Sequence, residues 1–245
     1  MADLPPIYAH RLGSGYGPES SLMALEGSIA RRVDGLEADV VITADEEVFA
    51  LHDPLLSIST DAEGWVSEVQ AKELRRASLR RESGKPSDQH PISLGEALAA
   101  AGPDLPIQLD VKAYADHALA CRTAELACRV AIEHGTAERV ELISFFSRAC
   151  LAATELGIKA GLAAWADYDP EAMADWASAH GCSGVLMEGF VVNSRIAKAL
   201  KDAGLTLAVG TVNTVGQALR LLSFDPDILV SDRPRELADE LDERI

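Results

Sequence analysis

Short apolar segments alternate with longer amphipathic segments along almost the whole chain. The apolar segments predict β-strands at 6–10, 35–43, 48–52, 106–111, 140–144, 159–164, 184–187, 206–210 and 227–231. They are nearly continuous apolar runs, as expected for strands with helices on one face and a packed interior on the other. Strands that alternate with helical patterns indicate β/α units, so we predict an α/β protein.

The amphipathic segments predict helices at 21–32, 93–101, 114–134, 147–156, 170–180, 193–203, 214–222 and 234–243. The sequence "SLGE" predicts a capping box in which Ser93 is the N-cap and Glu96 lies three residues on. Gly135, Gly181 and Gly204 each follow a predicted helix, where glycine commonly ends a helix. Local signals therefore support the helix boundaries that periodicity predicts.

The number of strand–helix repeats indicates the fold. About eight β/α repeats in about 250 residues are typical of a TIM (β/α)8 barrel. A doubly wound sheet is the alternative, but it usually has fewer strands and a glycine fingerprint for phosphate. No G-x-G-x-x-G sequence follows a predicted strand and begins a helix, and "GSGYG" at 13–17 has a different spacing. We therefore predict a TIM barrel.

One long segment interrupts the alternation of predicted strands and helices. Residues 53–92 are polar and turn-rich, which predicts an insertion or lid over one end of the barrel. The segment is too short for an independent domain. We expect a single domain over 1–245, with a small insertion after the second or third strand that could also contact a second subunit of a homo-oligomer.

The charge of the chain limits its partners. The formal net charge is −17 and the pI is about 4.7. Nucleic acids and anionic membranes are bound through positive charge, so the acidity disfavours both as partners. The first ten residues lack the pattern of a signal peptide, and no apolar run reaches the ~18 residues of a membrane span. We therefore expect a cytoplasmic protein without a membrane anchor.

Charged side chains follow the early predicted strands. His10 and Arg11 end the first strand, His52 and Asp53 follow "VFAL", and further acidic and basic residues lie on two other strands, namely Glu37, Asp39, Asp110 and Lys112. Functional residues of TIM barrels lie at the carboxyl ends of the strands. The clustering therefore predicts a catalytic or binding site at one end of the barrel.

Three of these side chains are carboxylates that are predicted to converge. Glu37 and Asp39 are two residues apart on one strand, so both point to the same face, at most ~7 Å apart at the backbone. If Asp110 faces the same mouth, partly buried like charges would repel unless a cation neutralised them. Carboxylate oxygens suit Mg²⁺ or Ca²⁺. An ordinary salt bridge is the structural alternative for Glu37 or Asp39.

Two histidines lie at predicted strand ends. A lone histidine is more often structural than catalytic, but His10 and His52 are each followed at once by a charged residue. Histidine titrates near neutrality, which suits a general acid and base pair. His134 and three other histidines have no such context, and we assign them no function.

The order of these motifs resembles the glycerophosphodiester phosphodiesterase family. "AHRLGSGYGPESS" and "GLEADVVITADEEVFALHDP" are similar to its His-Arg-Gly, Pro-Glu-Asn-Thr, Glu-x-Asp, Thr-x-Asp-Gly and His-Asp-Pro motifs. "LDVK", "GTVNT" and "LVSDRP" resemble later, less specific blocks of the family. The resemblance runs from about residue 7 to 234, and it implies a TIM barrel.

The resemblance implies a role for each matching residue. His10 and His52 match the catalytic histidines, and Arg11 matches a phosphate-binding arginine that acts with them. Lys112 matches a lysine near the substrate phosphate, and Glu19 a supporting glutamate that, with Pro18, is expected to begin the first helix. The matching ligands of one divalent cation, Mg²⁺ or Ca²⁺, are Glu37, Asp39 and Asp110.

Five positions depart from the family pattern. Leu12 replaces a glycine, Ser20 an asparagine, Glu46 a glycine and Gly210 a tryptophan, whereas Asp110 stands where glutamate is more usual. None of these changes removes a candidate acid, base or metal ligand. Ser20 and Gly210 could reshape the mouth for the substrate.

The resemblance implies metal-dependent hydrolysis of a small glycerophosphodiester to sn-glycerol 3-phosphate and an alcohol. A lysophospholipase D, or a lyase that stops at a cyclic phosphate, would use the same residues. A binding protein without activity is the alternative from another class. The retained histidines, arginine and carboxylates argue against that alternative.

Overall fold

Eight parallel strands close into a barrel in the computed structural model, which describes residues 4–166 and 168–244. The strands in chain order, including one outside the barrel, are β1 Ile7–Ala9, β2 Gly35–Ile42, β3 Val48–Ala50, β4 Ile107–Val111, β5 Val140–Ser144, β6 Lys159–Ala164, β7 Gly184–Glu188, β8 Thr206–Gly210 and β9 Ile228–Ser231. The order around the barrel is β1-β9-β8-β7-β6-β5-β4-β2, and β1 pairs with β2 to close it. The predicted TIM barrel is confirmed.

The third strand is not part of the barrel. β3 runs antiparallel to β2, with Val41 opposite Phe49. Only residues 43–47 connect the two strands, whereas a parallel crossover needs about a dozen residues or more. The expectation that His52 ends a barrel strand was therefore wrong, because His52 follows the added hairpin.

The helices in chain order, of which α2 and α3 lie in the 53–92 segment, are α1 Leu22–Ala30, α2 Leu56–Ser59, α3 Ala71–Leu74, α4 Leu94–Ala101, α5 His117–Glu133, α6 Ser147–Glu155, α7 Pro170–Ala179, α8 Ser194–Asp202, α9 Val215–Leu222 and α10 Pro234–Asp242. The predicted capping box at Ser93 and Glu96 is present at the start of α4. The long helix α5 begins three residues later than predicted, because the Asp116 carboxylate accepts hydrogen bonds from the first backbone amides. Among the described residues, no helix combines the length and apolarity needed to cross a bilayer.

The first helix begins within one residue of the predicted position 21, and not at Pro18 and Glu19. Its N-cap is Ser21, whose hydroxyl oxygen accepts a hydrogen bond from the Ala24 amide at 3.1 Å. Pro18 and Glu19 lie in the turn before it. The expectation that Pro18 and Glu19 begin this helix was therefore wrong. The Ser21 hydroxyl accepts a hydrogen bond from a free backbone amide at the helix start. Pro18 and Glu19 do not provide such an acceptor here.

Residues 53–92 pack on the added hairpin. Phe49 of β3 is fully buried and forms an apolar cluster with side chains from β2 and from this segment, including Leu56, Leu74 and Leu79. The segment also contains isolated bridges, one of which pairs Arg80 with Pro86. This second apolar cluster fixes the segment beside the barrel mouth.

The turn after β1 depends on a glycine. Gly13 has a φ of +108°, and a Cβ at this position would lie 2.1 Å from the Ser28 hydroxyl oxygen. The Gly13 amide donates a hydrogen bond to the His10 carbonyl at 2.8 Å, so this turn fixes the backbone beside His10. An L-residue here would be strained in its backbone and would clash with α1.

Gly13→Ala is expected to lower the free energy of unfolding by about 1–3 kcal/mol. Gly216 in α9 is the matched control, because a Cβ there would meet no atom within 4 Å. Gly216→Ala should raise stability by up to about 1 kcal/mol, since alanine favours helix. Urea unfolding of both variants measures the difference. Equal effects in the two variants would contradict the role given to Gly13.

Candidate active site

His10 and Arg11 lie in a tight turn directly after β1. His10 to Leu12 form one 3₁₀ turn, in which Arg11 and Leu12 have φ values of +50° and +64°. The Arg11 amide donates to Glu37 Oε2 at 2.9 Å, and the Arg11 carbonyl accepts from the Ser20 amide at 3.0 Å. This backbone path directs the His10 and Arg11 side chains into the mouth of the barrel, where both line one cavity.

The departures Leu12 and Ser20 support this turn. The Leu12 side chain is fully buried in the main core, and its carbonyl accepts a hydrogen bond from the Ser28 hydroxyl. Ser20 is also fully buried, with a φ of +59°. Neither side chain lines the cavity that contains His10 and Arg11. These two departures therefore act on the backbone behind the site.

The Arg11 guanidinium joins two carboxylates. Nη1 lies 2.5 Å from Glu19 Oε2, and Nε lies 3.3 Å from Asp39 Oδ2. Burial favours the neutral form of Arg11, but attraction to Asp39 and Glu19 outweighs it and raises the arginine pKa. Glu19 thus holds the guanidinium beside the barrel mouth without lining the inner cavity itself.

Three buried carboxylates converge at the centre of the mouth. Glu37, Asp39 and Asp110 are 3%, 2% and 4% exposed, and one oxygen of each lies within 4.8 Å of the others. Asp39 of β2 is in register with Asp110 of the neighbouring strand β4, which explains the approach. Parallel pairing thus brings together carboxylates that lie far apart in the chain.

The triad has the oxygen donors that a hard divalent cation requires. Asp110 Oδ1 is buried and accepts no hydrogen bond from any described residue, whereas Asp39 Oδ2 lies 3.3 Å from Arg11 Nε without a hydrogen bond. A buried carboxylate oxygen without a partner is costly, and a cation would remove that cost. Glu37, Asp39 and Asp110 therefore fit a Mg²⁺ or Ca²⁺ ion, which binds through oxygen ligands.

The protonation of the triad reflects its crowding. Burial, together with repulsion from Asp39, raises the pKa of Glu37 to about 7. Burial and Asp39 also raise the pKa of Asp110, although Lys112 opposes the change. For Asp39 burial acts in the same direction, but attraction from Lys112, His52 and Arg11 outweighs it and lowers the pKa. Asp39 is thus the carboxylate with the strongest cationic support.

Lys112 is the second cation at the centre of the site. Its Nζ contacts Asp110 and lies 3.1 Å from Asp39 Oδ1. Nζ also lies 5.4 Å from the centre of the Phe145 ring. Burial favours the neutral amine, but Asp110 and Asp39 outweigh it and raise the lysine pKa. Lys112 and Arg11 therefore remain charged, each beside a different oxygen of Asp39.

Each candidate catalytic histidine has a carboxylate on its Nδ1 atom. His10 Nδ1 lies 2.7 Å from Asp232 Oδ1, and His52 Nδ1 lies 3.0 Å from Asp53 Oδ1. A carboxylate on one ring nitrogen fixes the orientation of the imidazole and leaves Nε2 for proton transfer. Burial lowers the pKa of His10, but the Asp232 hydrogen bond and Glu37 outweigh it and raise the pKa.

Asp232 and Asn213 are contacts of the site that the sequence argument missed. Asp232 accepts hydrogen bonds from the Ser14 hydroxyl at 2.5 Å and from the Asn213 amide. Asp232 directly follows β9, and Asn213 lies in "GTVNT" after β8. Polar residues after the last strands were a usable signal, because all barrel strands end at the same mouth.

A cavity of about 130 Å³ collects nearly all of the predicted residues. Seven of the eight side chains line it, namely His10, Arg11, Glu37, Asp39, His52, Asp110 and Lys112. Gly210, another departure, also lines this cavity, whereas Glu46 pairs with Arg122 outside it. The geometry brings two histidines, the basic side chains of Arg11 and Lys112, and the carboxylate triad around one small cavity.

The comparison with protein families agrees with this arrangement. The model of the "Glycerophosphoryl diester phosphodiesterase family" matches residues 10–236. The chain belongs to this family. The match begins at His10 and includes Asp232, so it spans the whole cavity lining.

Similar proteins support the family and the fold. A glycerophosphodiester phosphodiesterase of Bacillus altitudinis is 36% identical over 70 residues, 29% of this chain and 29% of the relative. Glycerophosphodiester phosphodiesterase 1 of Mus musculus is 31% identical over 116 residues, 46% of this chain and 35% of the relative. The alignments span about 30% of the length of the first curated relatives.

A solved structure of an Oleispira antarctica phosphodiesterase has a TM-score of 0.86 at 23% identity, with 98% of this chain and 97% of that chain covered. That structure is described as a complex with the product sn-glycerol-3-phosphate. The Thermotoga maritima glycerophosphodiester phosphodiesterase has a TM-score of 0.78 at 16% identity, covering 98% of this chain and all of that chain. At these identities the likeness shows a common fold.

The Asp232–His10 pair predicts a pH-dependent contribution to stability. Burial raises the pKa of Asp232, but hydrogen bonds from His10 and Ser14 outweigh it and lower the pKa. The lowered Asp232 pKa stabilises the fold above the unfolded value of about 4, and the raised His10 pKa stabilises it below about 6.5. Both contributions are complete only between these two pH values.

Asp232→Asn should therefore destabilise the fold more at pH 5.5 than at pH 9. The pKa of His10 is raised in the folded protein, so the contribution of its charge to the pair is lost as the pH rises through that raised pKa. Thermal unfolding of the variant and the parent at both pH values measures the difference. An equal loss at the two pH values would exclude an ionic contribution from this pair.

Proposed function

We propose that this protein hydrolyses glycerophosphodiesters to sn-glycerol 3-phosphate and an alcohol, using one divalent cation, Mg²⁺ or Ca²⁺. The observation that carries the proposal is the joint lining of one small cavity by two carboxylate-bound histidines, Arg11, Lys112 and the carboxylate triad. The family match supports the same reaction class.

The cations account for charge stabilisation. Acid–base catalysis contributes about 10²–10⁴-fold, which is too little for a phosphodiester, so electrostatic stabilisation is also required. Arg11 and Lys112, each beside a different oxygen of Asp39, would hold the phosphoryl oxygens. The cation held by the triad supplies, when bound, further positive charge for those oxygens.

The two histidines would transfer the protons. One removes the proton from the 2-hydroxyl of the substrate glycerol, whose oxygen then forms a bond to phosphorus. The bond from phosphorus to the alcohol breaks, and the other histidine protonates the departing oxygen. Water opens the resulting cyclic phosphate to give glycerol 3-phosphate. Asp232 and Asp53 would hold His10 and His52 in the required orientation.

The proposal is tested by measuring glycerol 3-phosphate release from glycerophosphocholine in a coupled assay. We expect release with Mg²⁺ or Ca²⁺, complete loss with EDTA, and recovery on metal addition. Phosphorus NMR identifies the product, and a cyclic phosphate that is not opened would identify the lyase instead. Cleavage that EDTA leaves unchanged would exclude the carboxylate triad as a metal site.

One observation favours a lysophospholipase D as the second candidate. Exposed aromatic side chains lie in the 53–92 segment and in loops that follow barrel strands, namely Trp65, Tyr114, Phe145, Trp165, Tyr168 and Phe190. An acyl chain could contact such rings, because exposed apolar groups bind lipids or other apolar partners. Choline release from lysophosphatidylcholine, compared with release from glycerophosphocholine, separates the two activities.

A further inference from the structure

A larger groove continues outward from the catalytic cavity. Its volume is about 970 Å³, and it shares His10 and Arg11 with the cavity of about 130 Å³. Three further arginines line the groove, namely Arg80, Arg81 and Arg233. None of these three lines the inner cavity. The proposed chemistry therefore leaves a set of cations beside the site without a role.

Four arginines and four carboxylates line the groove, so the question is which of them already have a partner. Its carboxylates Glu19, Asp53 and Asp232 are engaged by Arg11, His52 and His10 respectively. Of the three groove arginines, Arg81 alone approaches a carboxylate among the described residues, Asp88 at 3.6 Å. Glu82 is the remaining acidic lining residue. Arg80 and Arg233 are thus two groove arginines that pair with no carboxylate of the described residues.

Contacts with the rest of the fold position two of these arginines at the groove. The Arg80 amide donates to the Ser59 carbonyl at 2.8 Å, and its Nη1 donates to the Gly84 carbonyl at 2.9 Å. A Cβ on Gly15 would lie 2.4 Å from Arg233 Cγ, so this glycine leaves room for the arginine stem. Arg80 and Arg233 are thus held at the groove by two different parts of the fold.

The volumes indicate which part of a substrate would reach this groove. The inner cavity is only about 130 Å³, which is too small for a complete diester with a large headgroup. Glycerol 3-phosphate is the small, constant part of every glycerophosphodiester, whereas the alcohol varies in size. The larger groove therefore fits the alcohol part, and its arginines would contact that part.

We propose that Arg80, Arg81 and Arg233 bind a negatively charged group on the alcohol part of the substrate. The inference rests on the proposed hydrolysis of glycerophosphodiesters. It specifies the substrate class as diesters with an anionic headgroup, such as a phosphorylated polyol. Guanidinium groups suit this task, because they bind phosphate oxygens through paired N–H donors.

The size of the expected preference follows from the position of these arginines, since Arg81 and Arg233 are exposed and Arg80 is partly exposed. An exposed ion pair changes an affinity by up to about fivefold, so three pairs should favour an anionic headgroup by about tenfold or more in kcat/KM. The preference should fall as salt is added, because ions screen exposed charges beyond about 10 Å at 0.1 M. A preference based on shape alone would be insensitive to salt.

The test compares a phosphorylated and an unphosphorylated headgroup of the same shape. The substrates are glycerophosphoinositol 4-phosphate and glycerophosphoinositol, with glycerophosphocholine as the cationic case. Release of glycerol 3-phosphate is measured for the parent, for the double variant Arg80→Gln with Arg233→Gln, and for Arg81→Gln. Arg76→Gln is the matched control, since Arg76 is an exposed arginine of the same segment outside the groove.

We expect the parent to prefer the phosphorylated substrate and the double variant to lose most of that preference. Cleavage of glycerophosphocholine should not fall in the variants, because losing positive charge does not weaken the binding of a cationic headgroup, and retained cleavage also shows that the variants are folded. Equal kcat/KM for the phosphorylated and unphosphorylated substrates in the parent would overturn the inference alone. A parent that releases glycerol 3-phosphate from none of the three would overturn the proposed function and this inference with it.

Discussion

His10→Ala and His52→Ala are each expected to lower kcat by about 10²–10⁴-fold, which is the contribution of general acid–base catalysis. Each variant removes one of the two imidazoles that line the cavity with the carboxylate triad. The remaining histidine cannot both accept a proton from the nucleophile and donate one to the departing alcohol in the same step. The effect should therefore appear in kcat rather than in KM alone.

The fold should survive both substitutions. The His10 and His52 side chains are 21% and 32% exposed, so neither removal creates a large cavity in the core. In His10→Ala, Asp232 retains its hydrogen bonds from Ser14 and Asn213. Circular dichroism and thermal unfolding check that activity is lost without unfolding.

His134→Ala is the matched control for both variants. His134 is exposed and follows α5, and it does not line the inner cavity. This variant should retain the kcat of the parent. If His10→Ala or His52→Ala kept a tenth or more of the parental kcat while folded, that histidine would have no role in proton transfer.

The order of strands and helices was readable from the sequence, because buried parallel strands and amphipathic helices have different periodicities. The position of β3 outside the barrel was not readable, because an apolar run predicts a strand but not whether it runs parallel or antiparallel to its neighbour. The five residues between β2 and β3, 43–47, were the missing evidence. Connection length therefore carried information that the apolar pattern alone did not.

The candidate site was predictable to the extent that it lies on regular strands. Glu37, Asp39 and Asp110 follow from alternation along β2 and β4 and from parallel register, which brings Asp39 beside Asp110. Asp232 could not be paired with His10 by spacing, because 222 residues separate them and only barrel closure brings them together. Barrel closure is a tertiary effect, and local sequence patterns do not show which distant residues it brings together.

The departures at Leu12 and Ser20 illustrate a second limit. Both residues have positive φ values, a conformation that favours glycine. From the sequence, Leu12 marks only the replacement of a family glycine next to the phosphate-binding arginine. The fold buries the leucine side chain in the core and keeps the turn. Packing outweighs the local backbone preference here, so residue type alone was a poor guide to the effect.

Glu37→Gln is expected to abolish metal-dependent turnover and yet to stabilise the metal-free protein at pH 8. The variant removes one of the three buried carboxylates that fit the cation, so affinity for Mg²⁺ or Ca²⁺ should fall sharply. The glutamine oxygen can still accept the hydrogen bond that the Arg11 amide donates to Glu37. The local turn should therefore persist.

The sign of the stability change follows from the raised pKa of Glu37. Burial raises this pKa from 4.5 to about 7, so the folded protein holds a proton that the unfolded chain has released. Metal-free stability therefore falls as the pH rises from about 4.5 to 7, by an amount on the order of a few kcal/mol. Glutamine carries no charge at any of these pH values, so the variant escapes this loss.

Thermal unfolding at pH 4.5 and pH 8 measures both effects, with EDTA for the metal-free protein and with excess Mg²⁺ or Ca²⁺ in place of EDTA for the metal-bound protein. The parent should lose stability between the two pH values and regain it when a cation binds, because a ligand that binds only the folded state stabilises it. The Glu37→Gln variant should lose less stability between the two pH values and should regain little stability when a cation is added. Glu26→Gln, an exposed glutamate of α1, should behave as the parent does. A cation-induced rise in Glu37→Gln as large as that of the parent would show that Glu37 is not a ligand, since the loss of a buried carboxylate ligand must weaken the binding that produces the rise.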